Sequence, residues 1–329
     1  MSVPVNLTWE ITRKCNLSCA HCLSADAMAN CKDELGLKSC KKFIDELSDL
    51  KVFQVNIGGG EPFLREDIID ILNHCHEKGI VTLLSTNATI VDDNIAKKLA
   101  QMNLTYIQVS LDGARSESND KIRGNGSFIK AINGIETLNR YGFKNLSINT
   151  VVTGVNYKEI PEMYRLCKYY KAKMRLARFK PSGRGKNIWD KYHLSSDQMN
   201  ELSNYLNEYR EELTGDTFFS ISSEDRKNLA LKLCGAAKMT CSLSPDGNVY
   251  PCAVLQEDYF CAGNILERPF GDIWRDSTVF KTIRNLEVDS CGKCSAFQSC
   301  HGGCVAIGLF LRNQLGYTGS ECIHNVFLD

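Results

Sequence analysis

The chain has no net charge to offer a polyanion. Its 329 residues carry 39 Lys and Arg against 39 Asp and Glu, so the basic excess of a non-specific nucleic-acid or membrane-surface binder is missing. A secretory start is missing too, because Met1-Ser-Val-Pro-Val has neither a charged head nor an apolar run. No apolar stretch approaches the roughly 20 residues of a bilayer-spanning helix. Internal repeats and low-complexity segments are also absent. These absences argue for a cytoplasmic protein with no nucleic-acid and no membrane partner. Hydrophobic content of 43% and charged content of 24% are ordinary for a globular chain. The length admits one large domain with a smaller companion.

What the chain has in excess is cysteine. Sixteen cysteines in a cytosolic chain of this size argue for metal or redox chemistry rather than a disulfide scaffold. Three of them fall within Cys15-Asn-Leu-Ser-Cys19-Ala-His-Cys22, directly after the strand-like run Val5–Ile11. Thiolates suit iron–sulfur clusters and zinc, and both usually take four protein ligands. Here no fourth cysteine follows at ligand spacing, since Cys31 is nine residues on. A cubane held by three thiolates leaves one iron open to a substrate or cofactor.

Up to about residue 190, strand-like runs alternate with helix-like ones. Strands are expected at Val3–Ile11, Val52–Ile57, Val81–Thr86, Ile107–Leu111, Ser147–Val152 and Arg175–Phe179. Between them apolar residues recur at helical spacing, as in Ile68, Ile71, Leu72 and Cys75, or Phe128, Ala131, Ile132, Ile135 and Leu138. Ser127 and Asn156, the latter with Glu159 three residues on, read as helix caps. Six such βα units predict an α/β fold with a parallel sheet, open or curled into a partial (β/α)6 barrel. Its working groups belong at the C-terminal ends of the strands. Lys180–Lys186 reads as a flexible basic turn. Ser195 with Gln198 reads as a capping box opening a helix with the stripe Met199, Leu202, Tyr205, Leu206 and Tyr209. Three regions result: a barrel over 1–190, a helical connector over 191–233 and a cysteine-dense tail over 234–329.

The second motif, Gly58-Gly59-Gly60-Glu61-Pro62, follows the second strand. Glycines let backbone approach a ligand, and a carboxylate can accept from an ammonium group; a solvated glycine-rich turn is the plainer reading. Ser85 and Asn87 end the third strand, Ser110 and Asp112 the fourth, and Asn149 lies within the fifth. Polar groups at strand ends serve turns as often as ligands.

The cysteine triplet and the Gly-Gly-Glu segment together resemble the radical S-adenosylmethionine (SAM) enzymes. The resemblance implies a SAM-binding [4Fe–4S] cluster on Cys15, Cys19 and Cys22. It implies that Gly58, Gly59, Gly60 and Glu61 meet the methionyl amino group. Ser85, Asn87, Ser110, Asp112 and Asn149 would meet ribose, carboxylate and adenine, with Arg123 on the carboxylate. Reductive cleavage of SAM to methionine and a hydrogen-abstracting 5′-deoxyadenosyl radical is the implied chemistry, fed by a low-potential donor such as ferredoxin or flavodoxin in a low-oxygen setting. The tail carries Cys234, Gly247 and Cys252, then Cys291-Gly-Lys-Cys294-Ser-Ala-Phe-Gln-Ser-Cys300-His-Gly-Gly-Cys304, and finally Cys322. This resembles the SPASM extension, which carries two auxiliary [4Fe–4S] clusters; a tetrahedral zinc site is the competing reading. By resemblance, Cys234, Cys252 and Cys304 hold the first auxiliary cluster, with Cys241 as fourth ligand or else a small buried thiol. Cys291, Cys294, Cys300 and Cys322 hold the second. Cys31, Cys40, Cys75, Cys167 and Cys261 are left as ordinary thiols.

Within that group, Val52–Pro62, Pro181–Gly185 with Trp189-Asp190, Leu213–Phe219 and Cys234–Cys241 resemble the mycofactocin peptide maturases. Ala237 departs from the glycine usual there. The implied substrate is a ribosomally made precursor peptide, whose C-terminal tyrosine is oxidatively decarboxylated and crosslinked to the adjacent valine. The first strand begins almost at once, which leads us to expect a separate leader-peptide-binding protein. Another SPASM enzyme, such as a sulfatase-maturing side-chain oxidase, is the alternative. Anaerobic reconstitution with iron and sulfide should load about twelve irons per chain, four for each of three cubanes; a sum near four would reduce the tail to a zinc or empty site. Cys19→Ala should abolish SAM cleavage while leaving the tail's iron in place.

Overall fold

The computed structural model describes residues 2–25, 33–102, 106–209, 214–215, 234–286 and 303–312. Its strands are β1 (Asn6–Glu10), β2 (Gln54–Gly58), β3 (Val81–Thr86), β4 (Tyr106–Ser110), β5 (Leu146–Val152), β6 (Lys173–Arg178), β7 (Thr214–Gly215), β8 (Thr240–Leu243), β9 (Asn248–Tyr250) and β10 (Gly263–Asn264). All six strands expected from the sequence are present, within a few residues at each end. Among the described residues the ten form one sheet, in the order β10-β9-β8-β1-β2-β3-β4-β5-β6-β7. Every pairing from β8 through β1 to β7 is parallel, and β9 and β10 turn back antiparallel.

The principal helices are α1 (Leu37–Asp49), α2 (Ile68–Glu77), α3 (Asp93–Ala100), α4 (Ser116–Arg123), α5 (Ser127–Arg140), α6 (Ile160–Tyr169), α7 (Trp189–Tyr192), α8 (Ser196–Glu208), α9 (Phe270–Asp276), α10 (Thr278–Arg284) and α11 (Val305–Arg312). The expected stripe of α2 is buried, as are Ala131, Ile132, Ile135 and Leu138 of α5. Cys40, Phe43, Ile44 and Leu47 of α1 sit at the spacing of one helix face and are buried. Phe43 meets the edges of Trp9 from β1 and Phe270 from α9, at 5.3 and 5.5 Å between ring centres. This trio welds barrel and tail into one hydrophobic core.

Parallel strands covered on both faces normally read as continuous apolar runs. Here they alternate. Leu7, Trp9, Val55, Ile57, Leu84, Ile107, Val109 and Ile148 are buried under the helices. Thr8, Glu10, Asn56, Ser85, Ser110 and Asn149, on the opposite face, line a single cavity. Five adjacent strands can share one cavity only if the sheet curls around it, which is the expected partial barrel. Its concave face is polar because it encloses a site instead of a packed core.

Three local expectations are revised. Ser127 is the first residue of α5, not its cap; Gly126 holds the preceding position with φ 75°. Asn156 holds the N-cap position of a 3-10 helix, Tyr157–Glu159, but makes no side-chain capping bond: its carboxamide accepts from Thr153 N and donates to Asp112 O and Val151 O, clamping two strand ends. Lys180–Lys186 is not a flexible turn, because Ser182, Gly183 and Gly185 are buried and lead into a short 3-10 helix, Gly183–Ile188. The Ser195–Gln198 capping box is present, and Met199, Leu202 and Leu206 are buried as expected. The tail is less separate than its cysteine content suggested: β8 pairs directly with β1, Leu7 opposite Cys241 and Trp9 opposite Leu243. Among the described residues no helix is long and apolar enough to cross a membrane.

Candidate functional site

The site is built from two backbone segments lying side by side. Beyond β1, Ile11 N donates to Gly58 O (3.0 Å). Gly60 N donates to Thr12 O (2.8 Å) and Glu61 N to Lys14 O (2.7 Å). The contact is so close that side chains are excluded. A Cβ on Gly60 would lie 2.0 Å from Lys14 O, and one on Gly59, whose φ is 123°, 2.7 Å from Thr12 O. The glycines therefore make room first for the chain that carries the cysteines.

That chain then bends into the cysteine loop. Cys15, Cys19 and Cys22 all line the cavity, which has a volume of about 670 Å³, within the usual range for small-molecule sites. Ala20 N donates to Ile122 O, and Asn87 Nδ2 donates to Asn16 Oδ1, tying the loop to α4 and to the end of β3. From the other side, Arg184 N donates to Cys22 O (3.0 Å) and Arg184 Nε to Cys19 O (2.8 Å). Arg123 Nη1 lies 4.0 Å from Cys19 Sγ. Burial pushes the Cys19 thiol up to about 11 against the pull of Arg123, and burial raises Cys22 against that of Arg184. Two guanidiniums thus reduce, without cancelling, the cost of ionising these thiols where a metal cluster would require it.

The cofactor residues expected from the sequence divide into two sets. Gly58, Gly59, Gly60, Ser85, Asn87, Ser110, Arg123 and Asn149 line the cavity. Glu61 and Asp112 do not. The Glu61 carboxylate is fully buried and accepts from Thr86 Oγ1 and Asn87 N (2.8 Å each) and from Phe63 N (3.3 Å), so it braces β3 against the glycine turn. Burial lifts its pKa to about 7 against those bonds. Asp112, also fully buried, stands 2.7 Å from both Arg123 Nε and His21 Nε2 and accepts from Val151 N. Burial alone would raise its pKa; Arg123 and His21 outweigh it and hold the group at about 2. Asp112 therefore orients Arg123 and the cysteine loop from behind.

In the tail, Cys234, Cys252 and Cys304 lie within one another's electrostatic reach: burial raises Cys234 and Cys252, the latter to about 12, and Cys304 adds to both. Cys241 does not join them. Its register opposite Leu7 turns it to the helix-covered side of the sheet, where Arg284 is its charged neighbour. The reading as a small buried thiol is the one that fits. Cys40, Cys75 and Cys167 are likewise buried. Cys31, Cys291, Cys294, Cys300 and Cys322 lie outside the described residues.

A profile described as the radical SAM superfamily matches residues 9–167, and one described as an iron–sulfur cluster-binding SPASM domain matches residues 234–301. The mycofactocin maturase of Mycolicibacterium smegmatis is 38% identical over 98% of this chain and 83% of its own length. The chain belongs to the radical SAM/SPASM enzymes. An AdoMet-dependent heme synthase of Methanosarcina barkeri is 30% identical over 92% of this chain and 91% of its own. In fold, the chain matches SuiB of Streptococcus suis bound to its precursor peptide SuiA, with a TM-score of 0.80 and 23% identity over 98% of this chain and 76% of that one. The SAM-bound enzyme anSMEcpe matches with a TM-score of 0.79 at 19% identity, over 96% of this chain and 93% of that one.

Cys15, Cys19 and Cys22 line one cavity and lie within electrostatic reach of one another, a soft thiolate donor set of the kind that iron–sulfur clusters take. Among the described residues no three His, Cys, Asp or Glu side chains converge on a point that would hold a single metal ion. Sequence reasoning missed Arg184, hidden in an apparent turn, and Glu10, whose strand position carried no signal for function. His21 was visible inside the cysteine triplet yet unassigned. Gly60→Ala should cost about 1–3 kcal/mol, the range for overpacking. It should also displace Cys15, read as a lowered melting temperature together with the loss of the SAM-dependent change in the iron–sulfur spectrum.

Proposed function

We propose that the enzyme oxidatively decarboxylates the C-terminal tyrosine of a ribosomally made precursor peptide and joins the product to the adjacent valine. The observation that carries this reading is the 38% identity to a mycofactocin maturase across 98% of the chain, above the 30% shared with a heme synthase. A separate leader-peptide-binding protein and a ferredoxin- or flavodoxin-type donor belong to the same reading. So does a barrel over 1–190, a connector over 191–233 and an auxiliary-cluster region over 234–329.

Cys15, Cys19 and Cys22 would hold the SAM-binding cluster. Cys234, Cys252 and Cys304 would hold one auxiliary cluster, and Cys291, Cys294, Cys300 and Cys322 the other. When bound, the first cluster and SAM supply a hydrogen-atom-abstracting adenosyl group. The rest falls to the chain's own side chains. Arg123, aimed by Asp112, would meet the carboxylate of SAM with a planar fork of donors. The glycine turn would bring backbone to its methionyl end, while Ser85, Ser110 and Asn149 present hydroxyl and carboxamide groups along the strand ends. The cysteine loop and Arg184, which line the same cavity, would help to keep bulk water from the reacting carbon.

The test uses the reconstituted full chain with SAM, dithionite and a synthetic peptide ending in Val-Tyr, with and without a leader-binding partner. The expected product is lighter by one CO2 and two hydrogen atoms, with 5′-deoxyadenosine formed alongside. Formation of 5′-deoxyadenosine with no change in peptide mass would overturn the substrate while leaving the family intact.

A further inference from the structure

One carboxylate in the cavity has no part in the scheme above. Glu10 ends β1 on the concave face, is 3% exposed and lines the cavity. Its Oε1 is committed, accepting from Ser24 Oγ and from Gln256 Nε2 (3.1 Å). Its Oε2 is buried with no hydrogen-bond partner among the described residues. A buried carboxylate oxygen left unpaired is costly, and one that also lines a cavity is placed to take a partner from it. Nor is Glu10 accounted for as a brace: Glu61 hydrogen-bonds through both oxygens, and Asp112 Oδ2, though without a hydrogen bond, stands 2.7 Å from the nitrogens of Arg123 and His21.

Position narrows the ligand. Ser24 follows the cysteine loop, and Gln256 stands four residues beyond Cys252, so Glu10 bridges the segment before the front site and the segment carrying an auxiliary-cluster ligand. Gln256 Oε1 at the same junction is also buried and unpartnered. The strand ends expected to take SAM run from β2 to β5, whereas Glu10 ends β1, the strand that stands between them and β8 of the tail. We propose that Glu10 is a substrate-binding residue, whose Oε2 as a neutral acid donates a hydrogen bond to an acceptor oxygen of the peptide held between the two metal sites. Two donors already satisfy Oε1, which leaves the proton of a neutral carboxyl to Oε2. Burial raises the Glu10 pKa to about 7, opposed by Ser24 and Gln256, so the neutral form is well populated. Among the charged and titratable groups around it, Cys22 is in electrostatic reach, and Arg13, His21, Arg123 and Arg184 line the same cavity.

This assignment rests on the peptide-maturase reading, and the experiment separates the two. Affinity for a fluorescently labelled precursor peptide ending in Val-Tyr is measured on the reconstituted full chain with SAM and the leader-binding partner but no reductant, for wild type, Glu10→Ala and Glu10→Gln. Turnover then gives the KM for peptide, the KM for SAM and the 5′-deoxyadenosine released per modified peptide. Glu10→Ala should weaken peptide binding and raise its KM about tenfold, the scale of one lost buried hydrogen bond, with the KM for SAM moving far less. Futile 5′-deoxyadenosine release should rise with it. Glu10→Gln keeps the acceptor for Ser24 and Gln256 and places an N–H where Oε2 stood, so it should restore most of the affinity. Peptide affinity unchanged in Glu10→Ala overturns the assignment. So does a glutamine variant as impaired as alanine, or equal losses in the KM for peptide and for SAM. A wild-type chain that does not bind the peptide overturns the proposed substrate and this assignment together. Binding without modification counts against the reaction, and leaves the affinities of the two variants to decide on Glu10.

Discussion

The backbone ladder between Ile11–Lys14 and Gly58–Glu61 is the constraint on which the rest of the molecule depends. Its hydrogen bonds between main-chain groups extend the β1–β2 pairing past the sheet's edge and fix where the cysteine loop leaves it. At Gly59 and Gly60 only glycine tolerates the approach, which explains the residue type there without reference to any ligand. Two buried carboxylates then lock the arrangement from behind, Glu61 through β3 and Asp112 through Arg123 and His21. The side chains that would meet a cofactor are few. Most polar groups at the site hold other protein groups in place, as a preorganised centre requires.

Legibility in the sequence followed from periodicity and spacing. The βα units could be read because strand and helix periods differ, and because strands such as Val81–Thr86 are bounded by turns. The cysteine triplet could be read because its spacing is local. What escaped depended on contacts far apart in sequence. Arg184 reaches Cys19 across 165 positions, and Gln256 reaches Glu10 across 246. Neither pairing leaves a local pattern. Glu61 and Asp112 lie in the expected neighbourhood, but their carboxylates turn to protein partners and do not line the cavity, since sequence places a strand end and cannot tell which way its side chain turns. Cys241 failed for a related reason: proximity to Cys234 along the chain says nothing of the face of the sheet on which it emerges, and the register with Leu7 decides that.

The concave face also shows how a barrel is adapted to hold a large ligand. A filled barrel packs branched apolar side chains in layers. Here Asn56, Ser85 and Gln108 form a hydrogen-bonded row across β2, β3 and β4, which stiffens the wall while keeping it hydrophilic. Apolar burial is displaced outward, to the helices and to the Trp9–Phe43–Phe270 trio shared with the tail.

The pairing of β8 with β1 carries a consequence for how the protein can be divided. Because the tail's first strand supplies hydrogen bonds that β1 needs on one side, removing the tail would not yield a smaller working barrel. It would expose a row of unsatisfied amides and carbonyls beside the cysteine loop, the kind of open border that invites intermolecular association. Among the described residues, the strand that opens the tail and the strand that leads into the cysteine loop are therefore held one strand spacing apart within a continuous sheet.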